Sequence, residues 1–255
     1  MITKPKFTVV TCTRNSMATL PETVRSAQMQ DFGDYEHLFV DGNSTDGTLD
    51  YLRTLPGRVR IIEGATGGIS RAMNVGIQEA HGEYICHLHS DDYFASPHVL
   101  SLVSQALSKS GARWLFGRCM SDVNGRRISG NHKVPRYSYA RNLKRNYIPH
   151  PATFVARSLF EECGGFNEKI RYAMDYDVWL RLGKCAEPFQ MDEELAVFRN
   201  HAGSLSSSNR LEAFEEDWQV RQRHIPALPW HQLYHWLHYV VRRRRLLAAL
   251  ASESR

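Results

Sequence analysis

Several things missing from this 255-residue chain narrow its class before any motif is weighed. It has no run of eighteen apolar residues, which argues against a membrane-spanning helix. The opening Met1-Ile2-Thr3-Lys4-Pro5-Lys6 leads straight toward a β-rich run, without the apolar stretch of a signal peptide, so a cytoplasmic protein is expected. The five cysteines (Cys12, Cys86, Cys119, Cys163, Cys185) are an odd number with no metal-like spacing, and three sit inside apolar runs. That predicts reduced, buried thiols. There is no internal repeat and no recognisable nucleic-acid module. The net charge is +5, but the block Arg242 to Arg245 supplies four of those charges, and the rest of the chain is close to neutral. The basic pI is therefore a property of the tail, and nucleic acid is not an expected partner. Thr11 to Ser16 holds no glycine, which argues against the glycine-rich basic loop of a nucleotidyl-transfer enzyme.

What is present reads as alternating strands and helices. Phe7-Thr8-Val9-Val10-Thr11 is β-rich and ends in the polar turn Thr13-Arg14-Asn15. Thr19-Leu20-Pro21-Glu22 has the form of a capping box, and its helix puts Leu20, Val24 and Ala27 on one face. Strands are predicted near 35–40, 59–62 and 83–89, with helices near 48–55 and from about Ser70, the latter stopped by Gly82. This β-α-β-α-β-α-β order predicts a mostly parallel sheet with helices on both faces. Beyond residue 110 the pattern changes: strand 113–117, a hairpin turn at Val123-Asn124-Gly125-Arg126, and a polar, basic stretch from 130 to 151 that reads as a mobile loop. A strand at 152–156, short helix 158–163, helix 175–182 and strand 195–198 follow, with a helical tail beyond Ser208.

The most informative segment is Tyr84-Ile85-Cys86-His87-Leu88-His89-Ser90-Asp91-Asp92, a strand running into two adjacent carboxylates. Carboxylates that close repel unless a cation or a donor-rich ligand holds them. The strand His37-Leu38-Phe39-Val40 also runs into an acidic turn, Asp41-Gly42-Asn43-Ser44-Thr45-Asp46-Gly47-Thr48. Two acidic loops at the carboxyl ends of strands would share the crevice where such sheets bind ligands, which points to a nucleotide with Mg²⁺ or Mn²⁺. Each residue has a plainer alternative. Asp91 could cap a helix announced by Pro97, Asp41 and its neighbours could only form a turn, and Asp175 and Asp177 could both stabilise the start of their helix. Asp175 precedes the periodic apolar positions, so it can face a cleft as a general base on a hydroxyl, while Asp177 fits the helix role better. His201 can ligate Mn²⁺ as a neutral imidazole, and His150, between two prolines, has an open role.

In order and approximate spacing, these elements resemble the family-2 glycosyltransferases with the GT-A fold, particularly the bacterial cell-surface polysaccharide and glycolipid branch. The resemblance rests on Val9-Val10-Thr11-Cys12-Thr13-Arg14-Asn15, the Val40 to Thr48 turn, Gly67-Gly68-Ile69-Ser70-Arg71-Ala72-Met73-Asn74-Val75-Gly76-Ile77 and Leu88 to Asp92. Gly164-Gly165-Phe166, Asp175 to Leu182, and Arg199-Asn200-His201 with its Gly203-Ser204-Leu205-Ser206 ending complete it. It covers roughly residues 6 to 207. The resemblance implies an α/β, Rossmann-like GT-A domain over 1–208, with a nucleotide-binding half to about 110, an acceptor half from about 111, and a basic helical tail over 209–255. It implies inverting transfer of a sugar from a nucleotide-sugar, a UDP-sugar by preference, to an acceptor hydroxyl of a glycan or lipid-linked saccharide. By position Thr13, Arg14, Asp41 and Arg71 would bind the donor. Asp91 and His201 would hold a divalent cation, and Asp175 would be the catalytic base. One departure stands out: the first acid of the family's Asp-X-Asp triplet is His89 here. It is the main argument for the competing class, a catalytically silent nucleotide-sugar-binding scaffold. The presence of Asp91, Asp175 and His201 together argues for the enzyme.

The tail places Leu233, Tyr234, Leu237, Val240 and Val241 along one helical face before the arginine block. That suits either an interfacial helix on an anionic membrane, making the protein peripheral on the cytoplasmic face, or a helix packed on protein.

Overall fold

A computed structural model describes residues 4–129, 134–200 and 209–253. The first half of the chain forms β1 (Phe7–Thr13), α1 (Leu20–Gln28), β2 (Tyr35–Asp41), α2 (Thr48–Arg53), β3 (Val59–Ile62), α3 (Ile69–Glu79) and β4 (Tyr84–His87). It is the parallel unit the alternation predicts, with β1 between β2 and β4 and β3 outside β2. Every residue of β1 is buried, as a strand covered on both faces must be. The register pairs Thr13 with Asp41, so both residues end their strands at the same edge. That edge is where ligands bind in sheets of this kind.

The second half extends the sheet differently. It comprises β5 (Tyr93–Phe94), α4 (Val99–Ser110), β6 (Trp114–Val123), β7 (Arg126–Ile128), α5 (Tyr139–Asn142), a 3-10 turn at His150–Ala152, β8 (Thr153–Ala156), α6 (Arg157–Cys163), α7 (Met174–Cys185) and β9 (Phe189–Asn200). The strand order is β3-β2-β1-β4-β8-β6-β9-β5, with β7 paired to β6. β8 runs antiparallel to both β4 and β6, so the sheet is parallel from β3 to β4 and mixed beyond β4. The hairpin forms as read, with Asn124 (φ 55°) and Gly125 (φ 79°) both left-handed.

Four local expectations are corrected. Thr19 does precede α1, but its side chain makes no cap; its backbone is already helical, and Glu22 pairs with Arg199 instead. Gly82 does not close α3, which ends with Ala80 in extended conformation. A Cβ on Gly82 would lie 2.4 Å from the Thr8 nitrogen, so the glycine permits close approach to β1. The supposed mobile loop is, from 134 onward, packed: Tyr137, Leu143 and Ile148 are buried and Asn142 has no exposure. Its apolar residues are spaced without period, which hid their burial. Finally, Cys163 and Cys185 are bonded across the α6–α7 contact, correcting the expectation of reduced thiols for that pair. Their Cα atoms are 7.2 Å apart.

The tail forms α8 (Arg210–Gln222) and α9 (Pro229–Glu253). Val220 and Ile225 join a small core with Tyr176 and Leu180 of α7, so the tail is fastened to the second half of the domain.

Candidate active site

On the side expected to bind nucleotide, two loops at the sheet edge are stitched together. Asn15 accepts from the Thr45 nitrogen at 2.8 Å and its own nitrogen donates to Ser44 Oγ at 2.8 Å. The nitrogens of Ser16 and Met17 donate to Thr48 Oγ1 and Asp46 Oδ2, both at 3.0 Å. Asn15 and Asn43 take left-handed backbone conformations (φ 51° and 63°), which asparagine tolerates. Asp41 has no exposed surface. It accepts from Thr13 Oγ1 at 2.8 Å, Ser44 N at 2.8 Å and Ser44 Oγ at 2.6 Å. The turn reading of this segment is therefore right for Asp41's visible bonds and for Asp46, which accepts from Thr48. Thr13 is buried beside Asp41, whereas Arg14 and Arg71 are exposed; a Cβ on Gly67 would meet Arg71 Cδ at 2.8 Å.

The third loop follows β4. Ser90 Oγ donates to Ser16 Oγ at 2.9 Å, which brings the acidic pair to the same edge as the two stitched loops. α4 starts at Val99 with His98 before it, so Asp91 does not cap that helix. The two aspartates differ. Asp92 is 1 % exposed, accepts from the Arg199 nitrogen at 3.2 Å, and is pushed well above the usual carboxylate range by burial and by Asp91. Asp91 is half-buried, and its carbonyl accepts from Arg199 Nε at 3.2 Å. Arg199, which also pairs with Glu22, thus ties the end of β9 to the acidic pair. Its position next to His201 in the quoted motif was the available signal, and the sequence reading assigned it no role. His201 itself lies outside the described residues.

A floor of rings runs from this loop to α7. His89 stacks on His150, centroids 4.8 Å apart at 18°, and His150 meets Trp179 of α7 at 5.7 Å. Burial lowers the pKa of both imidazoles, so they sit as neutral rings. Among the described residues, buried His150 Nε2 has no hydrogen-bond partner. Trp179 is one turn along from Asp175, whose carboxylate accepts from Asn146 Nδ2 at 3.0 Å and from the Tyr176 nitrogen at 2.6 Å. Burial raises Asp175 to about 6 against these two bonds. A carboxylate near neutrality is suited to taking a proton from a hydroxyl. Asp177 has the structural role expected of it. Burial alone would raise it, but His224 and Arg181 hold it low, and Arg181 donates in turn to the carbonyls of Cys163, Gly164 and Gly165.

Two positioning residues escaped sequence reading. Asn146 is one of three asparagines in a basic stretch and nothing singles it out. Glu216 of α8 accepts from the nitrogens of Arg171 (2.9 Å), Tyr172 (2.5 Å) and Ala173 (2.8 Å), fixing the chain immediately before α7. Acidic residues recur along α8, so nothing in the sequence singles this one out.

The parallel β3-β2-β1-β4 unit with its mixed extension is that of the GT-A fold. The family model for glycosyl transferase family 2 matches residues 8–162, and the chain belongs to that family. It is 33% identical over 195 residues to an uncharacterized glycosyltransferase, Rv1514c, of Mycobacterium tuberculosis H37Rv, covering 74% of this chain and 72% of that one. It is 30% identical over 182 residues to a PGL/p-HBAD biosynthesis glycosyltransferase of Mycobacterium bovis BCG, covering 69% of each. Among solved structures, S. aureus TarS 1-349 in complex with UDP-GlcNAc superposes with a TM-score of 0.70 at 22% identity, over 84% of this chain and 65% of that one. Mannosyltransferase PcManGT from Pyrobaculum calidifontis, in complex with GDP-Man and Mn²⁺, gives 0.69 at 19%, over 99% and 76%. These likenesses establish the fold. With the family, they make the protein a glycosyltransferase.

Proposed function

We propose that the protein transfers a sugar with inversion from a nucleotide-sugar, preferably a UDP-sugar, to a hydroxyl of a saccharide or lipid-linked saccharide in cell-surface glycan synthesis. The acceptor would be met at the cytoplasmic face of the membrane. The observation carrying this reading is the placement of two unlike carboxylates. Asp91 stands at the carboxyl edge of β4 with the nucleotide-side loops, and Asp175 at the head of α7 beyond the His89–His150–Trp179 floor. The relatives supply the donor class: one neighbour was solved with UDP-GlcNAc and another with GDP-Man and Mn²⁺.

The donor set around Asp91 suits Mg²⁺ or Mn²⁺. A hard cation takes one or two carboxylates and fills its remaining positions with phosphate oxygens and water. Asp91, half-buried at that edge, would offer the carboxylate, and His201 would be the second protein ligand. When bound, such a cation offsets charge on the departing diphosphate. The chain does the rest. Thr13, Arg14, Asp41 and Arg71 hold the nucleoside and its phosphates, and Asp175 takes the acceptor's proton as the hydroxyl attacks the anomeric carbon. Asn146 and the Tyr176 amide keep the Asp175 carboxylate oriented.

His89 favours the scaffold reading, so the experiment must separate the two. UDP, GDP, CMP and dTDP are titrated by calorimetry with and without Mn²⁺, in the wild type and in Asp91→Ala. One nucleotide binding tightly only with metal, and weakly in the variant, is the expected result. Sugar transfer from the matching nucleotide-sugar then separates the enzyme from a silent binder, and no metal-linked binding to any of the four overturns the donor site.

A further inference from the structure

Helix α9 leaves an apolar stripe uncovered. The side facing α8 mixes rings and polar groups: His235 is 4 % exposed, Arg242 lies over the Phe214 ring at 5.3 Å, and Arg243 pairs with Glu215. Tyr239 stacks on Trp218 with centroids 4.6 Å apart. The opposite side carries Trp230, Leu233, Tyr234, Leu237 and Val241, which are 64, 56, 47, 50 and 49 % exposed. At 3.6 residues per turn these five fall within an arc of about 100°. An amphipathic helix on a soluble domain normally turns such a stripe inward. Arg244 and Arg245, both exposed, continue the stripe, and no aspartate or glutamate lies between Pro229 and Ser252.

We propose that this face of α9 lies on an anionic lipid bilayer, with the helix axis in the membrane plane. Trp230 and Tyr234 sit at headgroup depth, Leu233, Leu237 and Val241 enter the acyl boundary, and Arg244 and Arg245 meet lipid phosphates. The contact is peripheral: among the described residues no helix is long and apolar enough to cross a membrane. Charge decides between the candidate occupants. A second copy pairing through the same face would bring no acid to meet the arginines, whereas an anionic bilayer satisfies the apolar stripe and the cations together. The face is also fixed relative to Asp175, because α8 bridges the two. Arg221 donates to the carbonyls of Lys144 (2.6 Å) and His235 (3.2 Å), and Glu216 holds the start of α7. This inference deepens the proposed acceptor and, as regards a lipid-linked acceptor, rests on the transferase reading; the docking itself does not.

The test is flotation of the full chain with phosphatidylcholine vesicles, with and without phosphatidylglycerol, in the absence of donor. The expected result is partition onto anionic vesicles only, weakened by added salt. Trp230→Ser/Leu233→Ser/Leu237→Ser should lower partition at least about tenfold, and Arg244→Gln or Arg245→Gln about fivefold each. All five positions are exposed, and far-ultraviolet circular dichroism confirms that the variants stay folded. Failure of the wild type to float with anionic vesicles, or unchanged partition of the triple variant, overturns the proposal. So does a concentration-dependent dimer lost in the triple variant without vesicle binding, which would give the face to a second copy. Nucleotide titration on the same samples reads the transferase proposal separately, so either can fail alone.

Discussion

On the nucleotide side, the loops after β1, β2 and β4 hold one another through short polar bonds, Asn15 to Thr45, Ser16 to Thr48 and Ser90 to Ser16. On the proposed acceptor side, Asp175 stands beside packed rings and accepts from Asn146 and the Tyr176 amide. The contrast matters for chemistry. Asp41 accepts three bonds and organises its turn, whereas at Asp175 burial outweighs two bonds and lifts the group to about 6. On the proposed reading, one side holds a ligand's polar atoms in fixed places and the other keeps a proton exchangeable near neutral pH.

The largest expected effect comes from removing that proton site. Asp175→Asn should lower turnover about a thousandfold while nucleotide affinity stays within about twofold. A titration showing equal loss of both would make Asp175 structural and erase the contrast. The same variant has a stability signature. Because the folded pKa is raised, the stability Asp175 contributes at low pH is lost as pH climbs through about 6. Asn should therefore melt higher than wild type at pH 8 and no higher at pH 4. Next in size, Asp91→Ala should weaken metal-linked nucleotide binding roughly tenfold or more, with little effect on metal-free binding. Loss in both conditions would instead mean that the loop had collapsed.

The nucleotide side was largely legible in the sequence because its physics is local. A β-rich run such as Phe7–Thr11 signals a strand, Asp41 follows the apolar Leu38-Phe39-Val40 directly, and Asp91 comes three residues after Leu88. The glycine–asparagine turns advertise their backbone geometry. The acceptor side was read only in outline, since its determinants are long-range. Asn146 meets Asp175 across 29 residues, Glu216 meets Tyr172 across 44, and Tyr137 and Ile148 bury without a period. His150 was singled out for its flanking prolines, but only the fold shows it stacked on His89. The mixed pairing of β8 was hidden too, because strand direction depends on connections with no local signature.

Asn146→Ala sharpens the comparison from the acceptor side. Its bond lowers the Asp175 pKa, so removal should raise it further and move the acidic limb of the kcat/KM profile toward neutral pH. Turnover at pH 6 should fall about fivefold, with partial recovery at pH 8. A uniform drop at every pH would assign Asn146 to packing alone.

Ser44→Ala is the matching cut on the nucleotide side, and the smallest. It removes the hydroxyl that donates to Asp41 Oδ1 at 2.6 Å and accepts from the Asn15 nitrogen at 2.8 Å. Asp41 keeps Thr13 and the residue-44 amide, so the cost should be about 1–2 kcal/mol, seen as a lower urea midpoint at unchanged slope. Nucleotide affinity should fall by a few fold at all pH values, because what is lost is the fixed position of an acceptor and not a titrating group. A pH-dependent loss in this variant would mean that the nucleotide side, too, works by tuning a proton, and the division between the two halves would have to be withdrawn.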